Sequence, residues 1–426
     1  MSAILPGEIQ QAALLLQRLL PETGGQGEAA DQVLERFFRQ HHTGSRERAR
    51  IADWVYQALR HRRRLEGLLQ GLSATAAVAW DGFSLVCAAA VMLEGLPEPA
   101  SRARLGALLG VERVTDGAAT GPPPGGAERF SLPDWLWQRF VDQWGEPQAE
   151  QVAAVLNQPA TVDLRVNRLR ASREALLAAL EAAGVEAVAT PYAPTGVRLT
   201  RRRPLAALAS FQQGWFEIQD EGSQLMAPLL DPRPGETVVD LCAGGGGKSL
   251  HLAALMQNRG RVVAADTVAR RLAPLAGRSK RAGVRIIRTL PLRHERDAKL
   301  KEFTMRADAV LVDAPCSGIG TLRRRPELKW QLQEAQVEAY HDRQCALLEA
   351  GAALTRPGGR LLYVTCSLLQ RENQAVVEAF LADNKQFRLQ PVPAVPDLPQ
   401  NTPFLILLPH QTATDGFFAA LLQRAA

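Results

Sequence analysis

The sequence predicts an α/β fold: a doubly wound sheet over residues 233–426, preceded by an all-helical domain and a small α+β domain. Three observations carry that reading. Short β-branched and aliphatic runs at 237–240, 262–266, 309–313 and 360–364 each stop at a turn signal, as strands buried on both faces of a parallel sheet do. Helical patterns separate them, which is the strand–helix alternation of an open α/β sheet. Upstream, residues 117–127 read Gly-Ala-Ala-Thr-Gly-Pro-Pro-Pro-Gly-Gly-Ala, too rich in Pro and Gly for the interior of any element, and so mark a domain boundary.

In chain order, residues 1–112 read as all helix. Leu14, Leu15, Leu16, Leu19 and Leu20 recur near helical spacing. Ser45 is placed to cap a helix over 46–69, with Ile51, Val55, Ala58, Leu59 and Leu65 on one stripe. That helix also carries Arg46, Arg48, Arg50 and residues 60–64, Arg-His-Arg-Arg-Arg. A solvated face and a phosphate-binding face explain such a run equally well. A linker at 113–128 follows, and residues 129–232 read as the small α+β domain. It starts with a helix carrying Leu132, Leu136 and Phe140. Residues 161–169 then alternate, with Val162, Leu164 and Val166 on one face and Asp163, Arg165 and Asn167 on the other, the pattern of a half-buried strand. Ser172 caps a helix that stops at Gly184, and 196–199 is a further strand. With Arg201, Arg202 and Arg203 nearby, a small sheet carrying Arg165, Arg168 and Arg170 would suit an RNA backbone, as it would a plain packing domain. The polar run 219–224 is expected at a surface or site mouth. Within 233–426, short strands are expected at 284–287, 404–408 and 417–421, the last two an antiparallel pair closing the sheet, with a helix over 372–381.

Composition bounds the class. Length 426 allows two to four domains, and 46% hydrophobic and 22% charged residues are ordinary for a globular protein. No apolar run approaches the ~18 residues of a membrane span. Five cysteines without framework spacing favour a reducing compartment, hence the cytoplasm, and no Cys/His cluster has zinc spacing. Cys87 and Cys345 sit in apolar helical patterns as core thiols. A net charge of +6 leans weakly toward a phosphate-bearing partner. A monomer is expected.

The chemistry lies at the strand ends, where ligands of open α/β sheets bind. Asp240 opens the loop Leu-Cys-Ala-Gly-Gly-Gly-Gly-Lys-Ser, whose glycines let the backbone bend and approach a ligand. Cys242 stands where a phosphate-binding loop needs its first glycine, so that reading fails. Asp266, ending the next strand, is placed to bind ribose hydroxyls, which implies a nucleoside cofactor. Asp313-Ala-Pro-Cys316-Ser-Gly and Thr365-Cys366-Ser367 each put a thiol at the end of a buried strand. Thiols beside a nucleoside cofactor fit methylation of carbon 5 of cytosine: a thiolate adds to carbon 6, carbon 5 becomes enamine-like, and S-adenosylmethionine supplies the methyl group. An acid is needed at the base edge, and Asp313 is the candidate. The residues alone do not choose between Cys316 and Cys366.

These motifs resemble those of the Sun/Fmu-type ribosomal RNA cytosine-C5 methyltransferases, over nearly the whole chain. Residues 48–56, Arg-Ala-Arg-Ile-Ala-Asp-Trp-Val-Tyr, are similar to that family's NusB-like domain, and 219–224 and 414–418 match further landmarks. The resemblance implies a Rossmann-like class I methyltransferase domain acting on RNA, most readily small-subunit ribosomal RNA. It implies Cys366 as nucleophile and Cys316 as the thiol that assists breakdown of the adduct, with Asp313 and Lys248 completing the catalytic set. Cys242, Ala243, Gly244, Gly245, Gly246, Gly247 and Lys248 would line the cofactor loop, with Asp266 on the ribose, Arg271 just beyond it, and Asp313 between cofactor and base. Two departures stand out. Gly244-Gly245 replaces the family's Ala-Pro, and 288–294, Arg-Thr-Leu-Pro-Leu-Arg-His, lacks the family's acid after the third strand. The second departure motivates an alternative, a non-catalytic RNA-binding assembly factor; a further alternative is the same chemistry on transfer RNA or DNA.

Overall fold

Leu15, Leu16 and Leu19 fall on one face of the first helix, Pro6–Leu19, and all three are buried, while Leu14 on the other face is exposed. Further helices at Ala30–Gln40, Ser45–Gln70, Gly82–Leu93 and Glu98–Leu109 close a core around Val55, Leu59 and Val86. The computed structural model describes residues 6–20, 27–70, 72, 81–110, 125–398 and 403–426. Residues 113–124 of the expected linker lie outside them.

The chain divides into two compact units, residues 1–159 with 322–334, and residues 160–321 with 335–426. By contact, the helices Asp134–Trp144 and Glu146–Leu156 fall in the first of these units. Within this first unit the arginine-bearing helix differs from a free basic stripe. Arg60 is buried and donates to the carbonyl of Arg323, Arg63 bonds the Leu132 carbonyl and Asp134, and Arg50 and Arg62 pair with Glu8 and Glu66. The segment 322–334 supplies Lys329, whose ammonium is enclosed by the carbonyls of Arg60 (3.0 Å) and Ser131 (3.2 Å) and the side chain of Asn157. Burial pushes its pKa down to about 7.

The second unit holds two sheets. Strands β1 (Val162–Val166), β2 (Ala187–Ala189), β3 (Gly196–Leu199) and β4 (Phe216–Ile218) form an antiparallel sheet in the order β2-β3-β1-β4. Ser172 caps the helix Arg173–Ala182 as expected, its hydroxyl accepting from Ala175 N. β1, however, is not half-buried. Asp163, Arg165 and Asn167 are as buried as the apolar face. Their partners are polar groups far away in the chain: Asp163 takes Arg198 and the Glu221 amide, and Asn167 donates to the carbonyls of Gly214 and Ala282. Arg165 is thus not available to RNA, whereas Arg168, Arg170 and residues 201–203 are exposed. The run 219–224 is likewise not a surface. Asp220 caps the helix Glu221–Leu229, and the buried Glu221 carboxylate accepts the amides of Tyr192 (2.6 Å) and Ala193 (2.9 Å).

The large sheet comprises β5 (Thr237–Asp240), β6 (Arg261–Asp266), β7 (Ile287–Pro291), β8 (Ala307–Asp313), β9 (Thr355–Thr365), β10 (Phe387–Gln390), β11 (Leu405–Leu407) and β12 (Phe417–Arg424). Its order is β10-β12-β9-β8-β5-β6-β7, with β11 also paired to β12. β5 to β9 run parallel, and β10, β11 and β12 are antiparallel additions, so the sheet is doubly wound and Rossmann-like. The third strand starts later than expected, at Ile287, because Val284 still closes the preceding helix through Ser279. The chain order reverses between β5 and β8, where such sheets bind their ligands.

Candidate active site

The glycine loop leaves β5 and enters the helix Gly247–Leu255 at that reversal. Its turn needs glycine at 246: φ is 78°, and a Cβ there would meet the Leu275 side chain at 2.2 Å. Asp266 at the end of β6 holds the loop from the other side, one oxygen accepting Gly244 N (2.8 Å) and the other Val268 N (2.7 Å). Asp240 ends β5 fully buried. One oxygen accepts the Ser249 hydroxyl (2.6 Å), the other has no hydrogen-bond partner among the described residues, and burial pushes the Asp240 pKa up to about 7. The small sheet braces this loop. Arg165 donates to the Gly247 carbonyl (2.7 Å), and Glu217 on β4 holds Arg278, which bonds the Gly245 carbonyl.

The other half of the crevice lies at the ends of β8 and β9. Lys248 reaches from the loop to Asp313, 2.6 Å from one carboxylate oxygen, and sits 5.5 Å over the ring of Phe417. Cys316 and Cys366 come together with their sulfurs 3.4 Å apart. The loops that bear them are packed backbone to backbone: Gly320 N donates to the Cys366 carbonyl (2.9 Å), and Gly416 N to the Gly320 carbonyl (2.8 Å). A Cβ on Gly320 would lie 2.4 Å from the Gly416 carbonyl oxygen, and one on Gly416 2.8 Å from the Gly320 Cα, so the close approach needs glycine at both positions.

The two thiols have different surroundings. Cys316 is pushed well above the ordinary thiol range by its bond to Cys366, by burial and by the Glu372 charge. Lys248 stays a cation despite burial because of Asp313, with the Cys366 sulfur also favouring its charge. The Lys248 ammonium therefore acts on the Cys366 sulfur, and the Glu372 carboxylate favours thiol at Cys316. Cys242 is held well above the thiol range by burial and by the surrounding carboxylates, first Asp240, then Asp266 and Asp313. Cys87 is a buried core thiol, pushed up to about 11 by burial and then Asp81, while Cys345 is only partly buried, 3.7 Å from His341 Nε2.

The structure thus brings Cys242, Gly244–Lys248, Asp266, Asp313, Cys316 and Cys366 to one end of one sheet. Arg271 is exposed on the short helix Ala269–Leu272 that follows β6. After β7 come Leu292 and Arg293; the nearest following acid on that segment other than Glu295, Asp297, spends its carboxylate on the amides of Arg293 and Lys299. Sequence reasoning missed Glu372 and Gln344, which hold the thiol loops from beneath, and the brace from Arg165 and Glu217. For Glu372 the available signal was an acid and an asparagine just after a cysteine-bearing strand; its partner 55 residues away left none.

A strand–glycine turn–helix ringed by Asp240, Asp266 and Asp313, one of them with an unpaired buried oxygen, fits a nucleoside that carries positive charge. Among the described residues no helix is long and apolar enough to cross a membrane.

Comparison with known proteins agrees with this geometry. Residues 227–423 match the family model described as 16S rRNA methyltransferase RsmB/F, and residues 132–206 match the ferredoxin-like domain model of RsmF/B-like methyltransferases. A protein of Synechocystis sp., described as a probable ribosomal RNA small subunit methyltransferase B, is 37% identical over 306 residues, covering 70% of this chain and 68% of its own. The crystal structure of PH0851 superposes with a TM-score of 0.79 at 27% identity, over 99% of this chain and 100% of that one. A methyltransferase homolog protein from Pyrococcus horikoshii superposes with a TM-score of 0.60 at 30% identity, over 70% and 97%. The chain belongs to the RsmB/F family of 16S ribosomal RNA methyltransferases.

Proposed function

We propose that this protein methylates carbon 5 of a cytosine in RNA, with small-subunit ribosomal RNA as substrate, through a covalent bond between Cys366 and carbon 6. The observation that carries the reading is the pair of sulfurs at 3.4 Å, one beside the Lys248–Asp313 ion pair and the other beside a buried carboxylate. S-adenosylmethionine, held by the glycine loop with Asp266 at the ribose and Asp240 near its charged groups, supplies an electrophilic methyl group.

The protein's own residues do the rest. The Cys366 thiolate, with the Lys248 ammonium acting on its sulfur, adds to carbon 6 of an unstacked base and pushes the electrons of the 5,6 double bond toward carbon 5. Asp313 spends one oxygen on Lys248 and keeps the other for the polar edge of the base. After methylation of carbon 5, a solvent water takes its proton, the 5,6 double bond re-forms and the Cys366 thiolate is expelled. Cys316, held as a thiol against Cys366, donates a hydrogen bond to the departing sulfur and so assists breakdown of the adduct.

The test is incubation with labelled S-adenosylmethionine and ribosomal RNA from cells lacking the protein, followed by bisulfite mapping. Label at one cytosine of the small-subunit RNA, as 5-methylcytosine, is expected. Modification of another atom, or of transfer RNA alone, overturns the reading. The non-catalytic assembly factor draws on one observation, Leu292 and Arg293 where the family has an acid; calorimetry showing no binding of the methyl donor would favour it.

A further inference from the structure

The two cysteine loops hang from one buried carboxylate. Glu372, in the turn Gln370–Glu372 just beyond β9, has no exposed surface. It accepts the Ser317 amide (2.8 Å), the Ser317 hydroxyl, the Ser367 hydroxyl and the Gln344 amide nitrogen (3.2 Å). Ser317 follows Cys316 and Ser367 follows Cys366. Gln344 also donates to the carbonyl of Pro315 (3.0 Å), on the other side of Cys316. The Tyr363 hydroxyl donates to the Glu372 carbonyl (2.6 Å), and Asn373 ties Thr365 to the Ser367 carbonyl.

A carboxylate this deep costs several kcal/mol unless donors replace its water. Here the donors come from three separate elements, and two of them adjoin the two thiols. A buried carboxylate whose two oxygens are both filled by donors holds those donors at fixed separations. We infer that Glu372 is a positioning residue that fixes the spacing of Cys316 and Cys366 and sets a negative charge beside Cys316. This rests on the reading of Cys366 as the nucleophile. The ionisable groups that act on the thiol pair are Lys248, ion-paired to Asp313, on Cys366, and Glu372 and Tyr363 on Cys316. Glu372 is thus the carboxylate charge set against Cys316.

The experiment reads each thiol separately, by initial rates of iodoacetamide alkylation from pH 6 to 10, resolved by peptide mass spectrometry on the full chain. In the wild type, Cys316 is expected to react only toward the alkaline end of that range. Glu372→Gln removes the charge while keeping the shape, and is expected to move the Cys316 profile down by about one unit, raising its rate near pH 7.5 about tenfold. Ser367→Ala keeps the charge and removes one tether; turnover is expected to fall about tenfold with KM for RNA unchanged. A Glu372→Gln protein with wild-type melting and an unshifted Cys316 profile overturns the inference. If that variant does not fold, Ser367→Ala decides: wild-type turnover there overturns it equally. Alkylation needs neither RNA nor methyl donor, so the clamp can stand while the cytosine reading falls, and the reverse.

Discussion

The glycine-loop half and the thiol half of the crevice sit on adjacent strands of one sheet, yet they are held in different ways. The glycine loop is fixed through its main chain: Asp266 takes an amide, and Arg165 and Arg278 take carbonyls. Those arginines are anchored by the small sheet, which is thereby a buttress for the loop. The thiol half is fixed through side chains that converge on Glu372. Main-chain bracing preserves a shape that a ligand must fit and tolerates change of side chain. Side-chain bracing sets where two reacting atoms stand, and a single substitution undoes it. The two halves should therefore fail separately, one in binding and the other in chemistry.

The largest expected effect tests that separation directly. Cys366→Ala should lower turnover by roughly 10⁴-fold or more while methyl-donor affinity, measured by calorimetry, changes by less than about twofold. A parallel loss of donor affinity would show the halves to be one. Next, Cys316→Ala should slow turnover about a hundredfold and leave an RNA–protein adduct on denaturing gels. An adduct that needs Cys316 and survives loss of Cys366 would exchange the two roles. In the other half, Gly246→Ala forces a side chain into the left-handed region against Leu275; at ~1–2 kcal/mol, donor affinity should drop about tenfold while Cys366 alkylates at its normal rate.

The smallest effect is a pH dependence. The folded-state pKa of Asp240 is raised from 3.8 to about 7, so without ligand its ionisation costs stability increasingly as pH rises through that window. A cationic donor favours the ionised form. Donor affinity should consequently rise with pH up to about 7, by less than tenfold per unit, and level off above. Calorimetry in buffers of different ionisation enthalpy reads the released proton, and Asp240→Asn should abolish the slope.

Much of this was legible in the chain. The strands carrying Asp240, Asp266, Asp313 and Cys366 are unbroken apolar runs, and a strand that ends in a turn delivers its last side chain to a predictable edge. That is why Cys316 and Cys366 were expected together. What stayed hidden has one physical cause. Asp163, Arg165 and Asn167 alternate with apolar residues and so read as a wet face, but their partners lie as far as 115 residues away. The buried Glu221 and Glu372 misled for the same reason: a lone polar residue does not disclose the donors that make its burial tolerable. The arginines of the helix Ser45–Gln70 were overcounted as free charge because Glu8 and the Arg323 carbonyl are invisible to periodicity.

The assignment of residues 322–334 to the helical unit has a consequence for how the molecule is made. During synthesis the amino-terminal helices leave the ribosome first, but the peptide that presents Lys329 and Trp330 to them follows more than 150 residues behind. Until it arrives, the carbonyls of Arg60, Ser131 and Leu59 lack their donors. The earliest-made helices are therefore finished late, and a nascent chain halted before that peptide should expose an unsealed, protease-sensitive bundle.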